Sequence, residues 1–222
     1  MKRLALFDLD HTLLPIDSDY EWGCFLGRIG IVDEDDFQAR NHTYAKQYKA
    51  GTLDVLEFLA FSLEVIAYRP LAEIEGWHRR YMQEVIEPAI LPQARALVDR
   101  HRDRGDLCAL VTATNTFVTA PIARAFGFEH LVGSEAEQVD GVYTGRPKGT
   151  PSFREGKVAR TEQWLASLHK TWRDFDEIWF YSDSSNDIPL LEHATHPVAT
   201  NPDPGLLALA RKRQWPVIEL FA

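Results

Sequence analysis

The sequence predicts an α/β fold: a three-layer parallel sheet interrupted by one inserted, wholly helical segment of about seventy residues. Three observations predict it. Residues 3–8, "RLALFD", make a short apolar run that stops at a carboxylate, as a buried strand does on leaving the core. Residues 18–86 then carry helix punctuation with no strand signal between. From residue 92 onward, helix and strand signals alternate, which argues for a parallel sheet covered on both faces. The expected division is residues 1–16 and 88–222 for the sheet domain and 17–87 for the helical cap. A chain of 222 residues is long enough for one such domain with an insertion.

The elements follow in order. "SDYEWGCFLGRIG" has Ser18 as the expected N-cap and Gly30 as the stop. "EDDFQARNHTYAKQYKAG" ends at Gly51. "TLDVLEFLAFSLEVIAY" takes Thr52 as its cap and is apolar on more than one face, which suits the centre of a bundle. Pro70 opens "PLAEIEGWHRRYMQEVIE" as a first-turn proline, and Pro88 and Pro92 bracket a connector. "QARALVDRHRDRG" is a helix ending at Gly105 and "DLCALVT" a buried strand. "FVTAPIARAFG" is a helix and "EHLVGS" a strand. "EQVDGVYTG" carries an Asp-Gly turn between apolar flanks and reads as a small hairpin. Helix "GKVARTEQWLASLHK", strand "EIWFYSD", short helix "NDIPLLEHA", strand "THPVAT", helix "PGLLALARKRQ" and strand "WPVIEL" complete the chain.

Charge and composition bound the partners. The formal net charge is −9, from 24 basic and 33 acidic residues, which disfavours nucleic acid and anionic membrane surfaces. No apolar run approaches the ~18 residues of a membrane span. The apolar start of "MKRLALFD" is cut at Asp8, too short for a signal segment. Two cysteines, Cys24 and Cys108, form no CxxC pair, which fits a reducing compartment. The expected location is the cytoplasm. The eight histidines show no HxH or HExxH spacing, so zinc is not indicated.

In an open α/β sheet, ligands bind beyond the carboxyl ends of the strands. The polar residues directly after the predicted strands are therefore the candidates: Asp8 and Asp10 after the first, and Thr112, Thr114 and Asn115 after "LCALV". Asp183, Ser184, Ser185, Asn186 and Asp187 follow "IWFYS", Asn201 follows "PVAT", and Lys157 stands in the first turn of the helix opening at Gly156. Carboxylates brought together at one edge repel unless a cation joins them, and oxygen-only ligands favour a hard one, most simply Mg²⁺. A lysine and a hydroxyl nearby suit phosphate oxygens. One aspartate can attack phosphorus, and a second can protonate the leaving oxygen and then activate water.

On these residues the whole chain resembles haloacid dehalogenase-superfamily phosphatases, in the branch that contains phosphoserine phosphatase. Four motifs carry the resemblance in order: "DLDHTLL", "LVTATN", "GKVAR" and "SDSSNDIPLL". The resemblance implies a Rossmann-like core with a small helical cap of class C1. It implies Asp8 as nucleophile, Asp10 as acid/base, and Thr112, Ala113 and Lys157 around the phosphate, with Asn186 and Asp187 beside them. Mg²⁺ would be held by Asp8, Asp183 and the main-chain carbonyl of Asp10. The substrate would be a small phosphorylated metabolite: an amino acid, amino alcohol or polyol phosphate, of the phosphoserine or histidinol phosphate kind. Transfer of the phosphoryl group to another acceptor is the alternative enzyme. A receiver-type phospho-acceptor uses the same parts, but it has no use for the insertion. Two departures stand out. "SDSSND" replaces the common "GDGxND", and the place of the amino-acid-binding arginine falls near Ala60, in a stretch without a basic residue. In the cap, one of Asp17 and Asp19, with Asp17 preferred, is expected to read the leaving group, and Trp22 is expected to line the chamber.

Overall fold

The computed structural model describes residues 2–221, the Lys49 side chain excepted. Its centre is β1 (Arg3–Phe7), a five-residue strand whose side chains are buried beyond Arg3. β2 (Leu107–Asn115) and β5 (Glu177–Ser182) lie on either side of it, both parallel. Outward from β2 come β3 (Leu131–Val139) and β4 (Val142–Lys148); outward from β5 come β6 (His196–Thr200) and β7 (Val217–Ile218). The order is β4-β3-β2-β1-β5-β6-β7, and only β4 runs antiparallel to its neighbour. Near-continuous apolar strands are what a sheet buried on both faces requires. Ala5, Phe7, Leu110, Tyr181 and Val198 face one layer, where α6 (Pro92–Asp103) and α7 (Thr116–Phe126) pack. Leu4, Leu6, Ala109, Phe180 and Ala199 face the other, under α8 (Glu155–Ser167), α9 (Ile188–Leu191) and α10 (Pro204–Arg213).

Between β1 and α6 the chain is helical: α1 (Ser18–Arg28), α2 (Glu34–Ala50), α3 (Val55–Glu64) and α4 (Leu71–Tyr81). From α4 the backbone passes through a π turn (Met82–Ile86) into the short α5 (Glu87–Ala89), so the helical run ends two residues beyond the expected boundary. The caps differ from expectation in a consistent way. Asp17, not Ser18, caps α1 and accepts the main-chain N–H groups of Asp19 and Tyr20; the Ser18 N–H is spent on Asp10. Asp54, not Thr52, caps α3. In both places a carboxylate reaches two donors of the first turn, which a hydroxyl does less well. Pro70 sits just before α4 rather than in its first turn.

Two sets of contacts that seat the cap on the core lie on opposite sides. The β3–β4 hairpin turns at Asp140 and Gly141, both at positive φ as a two-residue primed turn demands. It is longer than expected, because the "EHLVGS" strand and the first hairpin strand are one element, β3. Tyr68 N–H donates to the Tyr143 carbonyl at 2.8 Å, and a Cβ at Gly145 (φ +80°) would lie 2.8 Å from Ala67. On the opposite side, the Arg154 guanidinium donates to the Gly51 carbonyl at 2.6 Å and the Tyr48 hydroxyl to Ser184 Oγ at 3.1 Å. Among the described residues no helix is long and apolar enough to cross a membrane.

Candidate active site

β1 stops at Phe7, while β2 continues to Asn115, past the point where it can still pair with β1. Asp8 therefore emerges at the strand tip, its N–H held by the Tyr181 carbonyl of β5. The next residues wind one turn: the N–H groups of Thr12, Leu13 and Leu14 all point to the Leu9 carbonyl. Leu9, Leu13 and Leu14 are fully buried, so this turn is anchored by its apolar residues and throws Asp8, Asp10 and Thr12 toward the sheet edge.

Four charged side chains meet there, three of them buried and Asp183 partly so. Lys157 Nζ donates to Asp8 Oδ1 at 2.8 Å and to Asp187 Oδ2 at 2.6 Å. Thr12 Oγ1 donates to Asp8 Oδ2 (3.0 Å), lies 3.2 Å from Asp183 Oδ1, and accepts the Asp183 N–H. Burial alone would lower the Lys157 ammonium, but Asp187 and Asp8 outweigh it and hold the group charged. Burial, with Asp8 and Asp187 nearby, pushes the Asp183 carboxyl well above the usual range; burial and Asp8 push Asp187 up to about 6, against Lys157. Lys157 brings one positive charge to three carboxylates, an excess of two negative charges when all are ionised.

That excess fits a hard divalent cation, and the donors fit too. Asp183 Oδ2 has no hydrogen-bond donor among the described residues. The Asp10 side chain is committed elsewhere: Oδ1 accepts Ser18 N–H (2.7 Å) and Oδ2 accepts Thr114 Oγ1 (2.8 Å). Both its oxygens are thus tied to α1 and β2, and a cation at this edge could draw on the carboxylates of Asp8 and Asp183 with a main-chain carbonyl. In keeping with this, no three His, Cys, Asp or Glu side chains among the described residues converge as metal ligands. Burial and the nearby Asp17 raise the Asp10 carboxyl to about 6, opposed by its Ser18 and Thr114 bonds.

The chamber above this edge is closed by the cap. Asp8, Asp10, Thr112, Ala113, Thr114 and Asp183 form its core side. Asp17, Asp19 and Tyr20 of the first cap turn, Asn41, Tyr44 and Tyr48 of α2, and Phe58 of α3 form its cap side, with Phe153 closing it from the core. Tyr44 and Tyr48 share one face of α2 because they are four residues apart. No Lys or Arg side chain among the described residues lines it. It opens outward past His11, Asp17, Ala45, Tyr48 and Asp183 into a surface groove along Arg154 and Asn186.

Three expected substrate residues stand elsewhere. Trp22 does not line the chamber: it is 2% exposed, packed against Phe25, His78, Tyr81 and Phe117, because the interior of the cap needs a large apolar filler there. Asp187 lies behind Lys157 and accepts Ser182 Oγ (2.7 Å), so it holds the lysine rather than meeting the chamber. Asn186 accepts from Arg154 Nε (3.0 Å) and donates to the Tyr48 carbonyl (3.4 Å), joining core to cap. Thr112 and Ala113 do line the chamber; the Thr112 hydroxyl accepts the Thr114 N–H (3.1 Å), which leaves its own proton for a ligand. Gly156 precedes the lysine because a Cβ there would lie 2.1 Å from the Pro151 carbonyl oxygen. The sequence does not single out Thr12 or Tyr48, and it offers Asp19 only as second to Asp17 for reading the leaving group. Thr12 lies inside "DLDHTLL"; for the other two, no local signal distinguishes a chamber-facing cap residue from a packed one.

The chain is similar to several known proteins. A family model of haloacid dehalogenase-like hydrolases matches residues 5–192. A protein of Neisseria meningitidis serogroup C (strain 8013) named histidinol-phosphatase is 42% identical over 219 residues, covering 98% of this chain and 99% of its own. A crystal structure from Bordetella pertussis Tohama I, of a protein with unknown function, is 53% identical with a TM-score of 0.95, each chain fully covered. A substrate-bound phosphoserine phosphatase complex, at 19% identity and a TM-score of 0.67 over 99% of this chain and 93% of its own, shares the fold.

Proposed function

The chain belongs to the haloacid dehalogenase-like hydrolase family, and on that premise we propose that it is a Mg²⁺-dependent phosphatase that hydrolyses a phosphorylated amino alcohol of the histidinol phosphate kind through a phosphorylated Asp8. The observation that carries the reading is the chamber under the cap: Asp8 and Thr112 on its core side, Asp17 and Asp19 on its cap side, and no Lys or Arg among its described lining residues. An amino-acid phosphate brings, besides its ammonium, a carboxylate that would meet carboxylates there with no Lys or Arg to pair it; an amino alcohol brings the ammonium without that carboxylate. Tyr20, Tyr44, Tyr48, Phe58 and Phe153 add flat apolar walls of the kind that accept a ring. The Neisseria meningitidis relative's name supports the same substrate.

The residues divide the chemistry as follows. An Asp8 carboxylate oxygen bonds to phosphorus as the bond to the substrate's alkoxide oxygen breaks, and Asp10 gives that oxygen its proton. Asp10 then takes a proton from a water whose oxygen attacks phosphorus, the acyl phosphate bond breaks, and Asp8 returns as carboxylate with inorganic phosphate released. A carboxyl raised to about 6 is suited to passing a proton in both directions near neutrality. The Thr112 hydroxyl and the Lys157 ammonium orient the phosphate and Asp8 respectively. Asp8, Asp183 and the Asp10 carbonyl would hold Mg²⁺, which when bound neutralises charge on the phosphate oxygens.

A phosphate-release screen over phosphorylated amino alcohols, amino acids, polyols, sugars and nucleotides tests the reading. Histidinol phosphate is expected to give a kcat/KM at least about tenfold above phosphoserine. A preference for phosphoserine overturns the substrate, and release from no monoester overturns the phosphatase.

The metal has a thermal signature. Asp10, Asp183 and Asp187 have folded values raised above their ordinary 3.8, so the folded state binds more protons than the unfolded one in that window. Without a cation, stability therefore falls as pH rises from near 3.8 through about 6. A cation held by the ionised carboxylates reverses this loss. Added MgCl₂ is expected to raise the melting temperature more at pH 7.5 than at pH 5; an equal rise at both pH values contradicts the assignment.

A further inference from the structure

The chamber contains one carboxylate whose surroundings have no explanation in the phosphoryl chemistry. Asp19 is 7% exposed, lines the chamber, and is supplied by α1 just inside the helix start. Its Oδ1 accepts Ser62 Oγ of α3 (2.9 Å) and Asn115 Nδ2 at the end of β2 (3.1 Å). The Asn115 amide cannot turn away, because its Oδ1 accepts Val118 N–H as the cap of α7. Cap and core therefore clamp one oxygen of Asp19 between them. Among the described residues nothing donates to the other oxygen, Oδ2, and no cation pairs with the group. A buried carboxylate without a counter-charge is costly, and proteins keep one where a ligand supplies the charge.

Asp17 also lines the chamber and also has one oxygen, Oδ2, to which nothing among the described residues donates, but it differs in how its other oxygen is used and in its burial. Its Oδ1 is engaged by two main-chain N–H groups of α1, and it is only partly buried, at the mouth of the chamber. Its structural duty as a helix cap is filled before any substrate arrives.

We infer that Asp19, through Oδ2, is the specificity-determining residue that binds the substrate's ammonium group, with Ser62 and Asn115 as the positioning residues that aim it, while Asp17 chiefly caps α1. The inference rests on the phosphatase reading and names within it the group that selects an amine over a hydroxyl. Burial, reinforced by the charge of Asp17, lifts the Asp19 carboxyl to about 7 in the free protein, as expected for a site that awaits a cation. The site spans both parts of the molecule, because Ser62 belongs to the cap and Asn115 to the core.

The test compares 2-aminobutyl phosphate with 2-hydroxybutyl phosphate, which differ by an ammonium against a hydroxyl at one position. In Asp19→Asn, the ratio of their kcat/KM values is expected to fall by about tenfold or more, mainly through KM for the amine, since a charged hydrogen bond is lost. In Asp17→Asn the ratio is expected to fall less. An unchanged ratio in Asp19→Asn, or a larger fall in Asp17→Asn, overturns the inference. Folding is read separately: neutralising an uncompensated buried carboxylate is expected to leave the melting temperature of ligand-free Asp19→Asn at pH 8 equal to or above that of the parent. 2-Amino-1-butanol, which carries no phosphate, is expected to raise the melting temperature of the parent and not of Asp19→Asn, whereas butane-1,2-diol raises neither. Should the parent release phosphate from neither ester, the phosphatase reading falls, and this thermal comparison still decides the ammonium site: equal shifts in parent and variant overturn it.

Discussion

Asp8→Asn is expected to reduce phosphate release by about 10⁴-fold or more, because an amide has no anionic oxygen with which to form the acyl phosphate. The loss falls on kcat, since Thr112, the aromatic walls and the cap side of the chamber are untouched. Stability should change little. The substitution puts an NH₂ donor against Thr12 Oγ1 or Lys157 Nζ, which costs a hydrogen bond, but it also removes one carboxylate from beside Asp183. A purified variant that melts near the parent and releases no phosphate from p-nitrophenyl phosphate is the expected result. Activity equal to the parent would remove Asp8 from the role of nucleophile.

Lys157→Met is expected to be the most destabilising single change in the site, at roughly 3–5 kcal/mol, because it removes the only cation from a buried pair of ion pairs. Lys157 is 2% exposed and stands between Asp8 and Asp187, both buried. Methionine fills much of the same volume, so the loss measures charge more than packing. The two carboxylates can shed their uncompensated charge by taking up protons, so the destabilisation should be larger at pH 8 than at pH 5. Urea unfolding at the two pH values checks both magnitude and sign. Adding Asp187→Asn to the variant should return part of the loss, since one stranded charge goes with it. A variant within about 1 kcal/mol of the parent at pH 8 would show that the lysine's charge is not what holds this cluster together.

Much of the architecture was legible in the sequence because it rests on local rules. After Arg3, "LALF" is apolar throughout, as a strand buried on both faces requires, and the residue after it sits at a sheet edge. The alternation of "LCALV", "IWFYS" and "PVAT" with helices makes that edge common to all of them. Hence Asp8, Thr112 and Asp183 stand together, and Lys157 reaches Asp8 and Asp187 from the first turn of α8. Within the cap the same reasoning failed at particular residues. Both Asp17 and Ser18 are good N-caps by type; which one caps was settled by Asp10, which takes the Ser18 N–H. "LEFLAFSLEV" is apolar nearly all round, so its sequence could not say that Ser62 points at Asp19 while Phe58 meets the chamber. Trp22 and Asp19 are three residues apart on one helix, one spent on packing and the other on the cavity.

By itself, then, the sequence determined the sheet, the existence of a helical insertion, and the set of carboxylates, hydroxyl and lysine delivered to one edge, because strand ends are marked by the abrupt change from apolar to polar. Only the tertiary structure decided which cap side chains face that edge. A helix of period 3.6 states how its residues are spaced around its axis, not which of its faces a neighbouring helix will cover, and that choice is made by the packing of α1, α2 and α3 against one another and against the core.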